Sequence, residues 1–178
     1  MVLSQTQTLL KLEQHCTSIT PEGQKKAFTC GYTLAEAKAV PHALWADILQ
    51  TYVSPGPQDV NRVDYSALKA SDADREKLDI YIEAYSELDF GELTREERLA
   101  AWVNLYNAVT VRYIVGKYPV GTINPWYSRG PWRSIKVRAG GEEVSLHQIE
   151  HEILRKQWPD EPRLHYALNC ASIGCPDL

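Results

Sequence analysis

RLAAWVNLYNAVTVRYIV, residues 98–115, carries apolar side chains that, projected at 100° per residue, surround nearly the whole helical circumference. A surface helix shows one apolar stripe, whereas a helix apolar all round is buried on most sides. The stretch is therefore read as the central helix of the core. Its start is written just upstream. Thr94 followed by Glu97 is a capping box, in which each side chain satisfies a free amide of the first turn. Gly116 is the expected stop. Asn104, Asn107 and Thr110 lie along one side of this helix at three-residue spacing. A buried amide without a partner costs about 1–3 kcal/mol, so these groups must bond to something. Two destinations stay open: the backbone of a loop, or a site that Asn104 or Asn107 lines.

Outward from this helix, HALWADILQTYV (42–53) sets Leu44, Ile48 and Val53 near one helical face, and SPGPQD stops it. DREKLDIYIEAYSEL (74–88) puts Leu78, Ile82 and Tyr85 at helical spacing. KYPVGTINPWYSRGPW (117–132) is a Pro, Gly and Trp-rich crossing. SIKVRA, Gly140-Gly141 and EEVSL then read as two short strands around a tight turn. Ser145 and Gln148 form a second capping box that opens the helix SLHQIEHEILRKQ. RLHYALN (163–169) alternates apolar and polar residues as a strand would, delivering Cys170 just past its end. The expectation is an α+β domain over 41–178, with a buried central helix packed on a small antiparallel sheet. Residues 1–40 form an N-terminal arm or short helices.

The 178 residues suit one ordinary domain, and 44% apolar with 24% charged residues matches a globular chain. A formal net charge of -4, with basic residues scattered among acidic ones, gives no stripe for neutralising phosphates, so nucleic acid is not an expected partner. No apolar run approaches the roughly 18 residues of a membrane span. The opening MVLSQTQTLLKLEQ lacks a secretory leader, which at face value places the chain in the cytoplasm, or outside it if a leader has been removed. The four cysteines, Cys16, Cys30, Cys170 and Cys175, permit two disulfides in an oxidising compartment, Cys170 with Cys175 among the pairings, and remain thiols in a reducing one.

The helix from Ser145 has an apolar stripe of Leu146, Ile149, Ile153 and Leu154. By the same projection Glu150 falls inside that stripe, with His151 on its flank. A carboxylate there is costly unless it is paired, so Glu150 needs an Arg or amide partner, or a catalytic role. The catalytic alternative is an activated thiol: Cys170 as nucleophile, His151 as base, and Glu150 with Asn104 or Asn107 orienting or polarising. His165, five residues before Cys170, is a second candidate base. A rival reading takes HQIEH, residues 147–151, as an H-x-x-E-H zinc pattern with His147 and His151 one turn apart, a third ligand still wanting.

AWVNLYNAVTVRYIVGKYPV, VSLHQIEHEILR and PRLHYALNCASIGCPDL, taken in order and spacing, resemble the domain of unknown function 547 family, found in bacteria and in plant leucine-zipper proteins labelled ternary complex factor MIP. The resemblance runs from about Val63 to the end. It implies a core similar to papain-like and transglutaminase-like cysteine hydrolases, with the catalytic elements in direct or permuted order. Its motif maps onto Glu150, His151 and Cys170. Plant members lack a His at the position of His147 and bacterial relatives typically carry an acid or amide there, which weakens the zinc reading; no cofactor and no bound metal are expected. Plant members have Ser-Pro where this chain has Cys175-Pro176, which lowers the standing of Cys175. Relatives continue well past the C-x-S segment, so the chain is expected to be C-terminally incomplete. The substrate would be an amide or related acyl compound, with a peptide or a small thiol-containing ligand as partner and a homo-oligomer left open. The alternative is a catalytically silent protein-interaction or thiol-binding module that keeps the fold without the chemistry.

Overall fold

The structure is a computed structural model that describes residues 40–57, 60–121 and 130–171, all within one compact unit, Lys38–Leu178. Helix α1, His42–Tyr52, follows Pro41 and buries Trp45, Ile48 and Tyr52. The inward face is thus one position off the expected Leu44, Ile48 and Val53, because the bulkier aromatics take the core and Leu44 packs at its edge. Val53 instead opens strand β1, Val53–Pro55, which pairs antiparallel with β2, Asn61–Val63. Helix α2, Tyr65–Ala70, is capped by Asp64, and α3, Asp72–Glu83, by Ser71.

Helix α3 buries Leu78, Tyr81 and Ile82, and Tyr85 lies just beyond its end, fully enclosed. The Tyr81 and Tyr85 hydroxyls meet at 2.7 Å, and His42 Nδ1 lies 3.1 Å from the Tyr81 hydroxyl. Burial without hydroxyl partners would cost more than the rings gain, so this short polar chain is what lets two tyrosines sit in the core. Tyr52 closes α1 onto α3 by donating to Asp74 Oδ2 at 2.6 Å. That bond is the largest cause holding the Asp74 carboxyl down at about 2, with Lys77 and Ser71 adding to it against partial desolvation.

Helix α4, Arg95–Lys117, begins in the expected capping box, with Thr94 and Glu97 bonded reciprocally. Residues 105–111 are buried without interruption, nearly two full turns, which is possible only for a helix enclosed on every side. Helices α2 and α3 pack against it from the N-terminal half of the fold, and the helix that carries Glu150 packs against it from the C-terminal half. It passes Gly116 and ends at Tyr118 because a residue before proline is disfavoured in the helical region and Pro119 follows.

Strands β3, Lys136–Ala139, and β4, Glu142–Ser145, form the expected hairpin. Its turn residues Gly140 and Gly141 both have positive φ, +59° and +79°, as a type I′ turn requires. Their amides donate to the carbonyls of Tyr85 (3.0 Å) and Ser86 (2.6 Å), so the hairpin tip docks on the end of α3. The molecule is α+β, with two separate two-stranded antiparallel ribbons among the described residues in place of the single small sheet expected.

After the second capping box, at Ser145 and Gln148, comes α5, residues 146–157. Its first turn, Leu146–Gln148, is α-helical; Ile149–Leu154 is wound as a π-helix; Arg155–Gln157 returns to α. The stretch read as a strand over 163–169 is instead a short helix, α6, Leu164–Ala167. Its alternation was ambiguous: the two buried residues, Leu164 and Leu168, are also four apart, which suits a helical turn, and the Leu168 amide bonds the Leu164 carbonyl.

Candidate functional site

The π-winding of α5 decides what surrounds Glu150. In this winding backbone bonds close from i to i+5, and the Arg155 amide donates to the Glu150 carbonyl. Residues five apart then come nearly one above the other, and the Arg155 guanidinium donates to Glu150 Oε1 at 2.9 Å. From the facing helix, the Tyr106 hydroxyl donates to Glu150 Oε2 at 3.2 Å, while the same hydroxyl accepts from Trp132 Nε1 at 3.0 Å. Burial, then the Glu150 charge, push the Tyr106 phenol well above the ordinary range, so it stays a donor. The carboxylate on the apolar stripe therefore has an arginine and a phenol as partners, and the structural account of its placement is met.

His151 is nearly half exposed, and its Nε2 lies 3.8 Å from Glu150 Oε1. A regular α-helix would turn the two side chains 100° apart and keep the carboxylate from the ring. The looser winding lets Glu150 face its neighbour as well as Arg155. His147, one turn earlier, sets its ring against His151 with centroids 4.6 Å apart and planes at 52°. Partial desolvation, then Arg133 and His151, lower the His147 pKa.

The second half of the site is the approach to Cys170. Asn107, buried in α4, donates from Nδ2 to the Ala167 carbonyl at 2.9 Å, and its Oδ1 accepts from the Asn169 amide at 2.9 Å. The side-chain amide thus occupies the place of a neighbouring strand. It holds the backbone on both sides of Leu168 against the core helix. Asn169 Oδ1 then accepts from the Ala171 amide at 2.7 Å, closing a turn around Cys170, with Ala171 at φ 58°. Of the two destinations open to the polar row of α4, Asn107 takes the loop backbone, and Thr110 bonds back to the Tyr106 carbonyl at 2.9 Å. Asn104 is only partly buried, and its carboxamide has no hydrogen-bond partner among the described residues.

Cys170 is itself disulfide-bonded. Cys175, set aside as a local structural residue, lies outside the described residues. A sulfur in a disulfide is an electrophile and not a nucleophile, so the structure holds the candidate nucleophile in its masked form. His165 does not join Glu150 or His151: it is exposed on α6, with its ring 6.0 Å from that of Tyr166. Among the described residues no three His, Cys, Asp or Glu side chains are grouped to hold a metal. HQIEH thus lacks its third ligand there, both Glu150 oxygens being engaged by Arg155 and Tyr106.

Tyr106, Trp132 and Arg155 had not been singled out as site residues. The signal was present for two of them. Tyr106 sits inside N-L-Y-N and Arg155 closes I-E-H-x-I-L-R, but their meeting at Glu150 depends on a π-turn that a fixed 100° projection cannot show.

No helix among the described residues is long and apolar enough to cross a membrane. No curated protein and no solved structure matches the chain. A family model does match, over residues 90–178, half of the chain and the half that contains α4, the β3–β4 hairpin, α5 and the turn at Cys170. The chain belongs to that family, described as protein of unknown function, DUF547.

Proposed function

We propose that the domain is a thiol-dependent hydrolase of the cysteine-peptidase type, built on a papain-like core and acting on an amide or related acyl bond once the Cys170 disulfide has been reduced. The observation that carries this reading is the Asn107 clamp. A buried carboxamide of the core helix fixes the backbone immediately before Cys170, as a nucleophile held at a set point needs. The Glu150–His151 contact supports the choice of base, and Asn104, whose carboxamide has no partner among the described residues, is the polarising group in preference to Asn107.

In this mechanism a dithiol reductant converts the disulfide to two thiols. His151 takes the Cys170 proton, and the thiolate attacks the acyl carbon. The leaving amine departs with the proton from His151, and a thioester remains. Water then attacks the thioester, releasing the acid and restoring the thiol. Glu150, tied to Arg155 and Tyr106, stabilises the imidazolium that forms in each half.

The second reading, a silent interaction module, is favoured by one specific fact: a disulfide and a backbone clamp together also describe a structural staple. Reactivity separates the two. After mild reduction, Cys170 should react with a thiol-directed acyl probe much faster than an ordinary thiol, with Cys170→Ala removing the label and His151→Ala slowing it by about 10²–10⁴-fold. Labelling at the ordinary thiol rate, unchanged in His151→Ala, would leave the module reading.

A further inference from the structure

We propose that His147 and His151 form a two-imidazole clip for a late first-row divalent cation of the Zn²⁺ or Ni²⁺ class. The inference does not depend on Cys170 having any chemistry, and a cation bound there takes the His151 lone pair and so blocks that residue as the base of the proposed reaction.

The geometry comes first. Two imidazoles bound side by side on one cation, each nitrogen about 2.1 Å from the metal, have ring centroids roughly 4.6 Å apart at the right angle of an octahedral ion and roughly 5.3 Å apart at the tetrahedral angle. The His147 and His151 centroids stand at 4.6 Å, with the planes inclined at 52° rather than stacked. That separation matches the octahedral case and is a few tenths of an ångström short of the tetrahedral one, so a small rotation of the rings brings either ion into reach. Residues four apart on a helix are neighbours on one face, and the looser π-turn keeps them so.

The support beneath the pair is rigid. The His147 amide donates to the Trp132 carbonyl at 3.0 Å, and the turn that carries His147 is fixed by the Ser145–Gln148 capping box. Both rings reach the surface, His147 partly and His151 nearly half exposed, so a hydrated cation can approach.

The charges around the pair are mixed. Arg133 opposes a cation, whereas Glu150 and Glu152 favour one. Glu150 contributes field and not a bond, since its oxygens serve Arg155 and Tyr106. Two ligands leave the remaining positions to water. Imidazole selects Zn²⁺ and Ni²⁺ over Mg²⁺ and Ca²⁺, which require oxygen cages.

The test is calorimetric titration of the full chain with Zn²⁺ and with Ni²⁺ at pH 7.5, in wild type, His147→Ala, His151→Ala and the double variant. Circular dichroism checks that each is folded. One equivalent should bind to wild type, weaken at least about tenfold in each single variant and vanish in the double variant. Mg²⁺ and Ca²⁺ should bind to none of these. At pH 5.5, with the imidazoles protonated, the same equivalent should be lost. The proposal is overturned if the double variant keeps that equivalent, or if only one of the two histidines matters, since a single imidazole is not a clip.

Discussion

Asn107 shows how much one side chain settles in this protein. It is enclosed in the core, yet its carboxamide is matched group for group, donor to the Ala167 carbonyl and acceptor from the Asn169 amide. Asn107→Asp keeps the shape and the acceptor but sets an oxygen against the Ala167 carbonyl. Loss of that bond should cost about 2 kcal/mol at pH 7. The pH dependence follows from the sign of the shift. A carboxyl facing a carbonyl has its folded pKa raised above the unfolded value of about 3.9. Its stabilising form, the protonated donor, is then fully present below that value and lost as pH rises through the folded pKa. Urea unfolding of Asn107→Asp beside wild type should therefore show a smaller stability gap at pH 4 than at pH 7. A gap that stays constant would mean that the Ala167 bond contributes little.

At the scale of elements, the two capping boxes and the Gly-Gly turn appear where the sequence puts them, because each depends on residues within three or four positions. The turn also has a tertiary duty. A Cβ on Gly140 would lie 3.3 Å from Phe90 Cδ2 and 3.4 Å from the Leu88 carbonyl oxygen, whereas one on Gly141 meets nothing. Both glycines have positive φ, so alanine at either strains the backbone by on the order of 1 kcal/mol. Gly140→Ala should cost clearly more than Gly141→Ala in thermal or urea unfolding, since it also pushes the hairpin tip off the end of α3. Equal costs would show that docking of the tip contributes nothing. Residues 163–169 were misjudged as a strand, and on the correctly placed helix α5 only the winding went unforeseen. Residues 163–169 fit alternation as well as an i, i+4 turn, and α5 fits a 100° projection until its π-turn is known.

For the molecule as a whole, the first half is drawn together through α1 and α3, and the Tyr52–Asp74 bond sets part of its acid limit. The Asp74 pKa is held at about 2, chiefly by the Tyr52 hydroxyl. A depressed carboxyl contributes stability that is present above its unfolded value near 4 and lost as pH falls toward 2. Tyr52→Phe should lower stability by about 1 kcal/mol at pH 6. The difference from wild type should shrink between pH 4 and pH 2, followed by circular dichroism of thermal unfolding. A difference that persists at pH 2 would assign the effect to the hydroxyl's hydrogen bond as such and not to the charge of the Asp74 carboxylate.

The amino-acid sequence alone determined the central helix, its cap and the hairpin, because each is encoded in local periodicity or turn chemistry, and through the family resemblance it marked Glu150, His151 and Cys170 as candidates. The tertiary structure decided what those residues meet. It gave Asn107 to the backbone of Ala167 and Asn169, just before Cys170, and gave Glu150 to Arg155 and Tyr106 through a π-turn. It also put Cys170 into a disulfide and His147 against His151. The physical reason is the same in each case. A polar group's partner is chosen by which donors and acceptors the fold carries into a space from which water has been removed, and those groups lie up to 62 residues away along the chain.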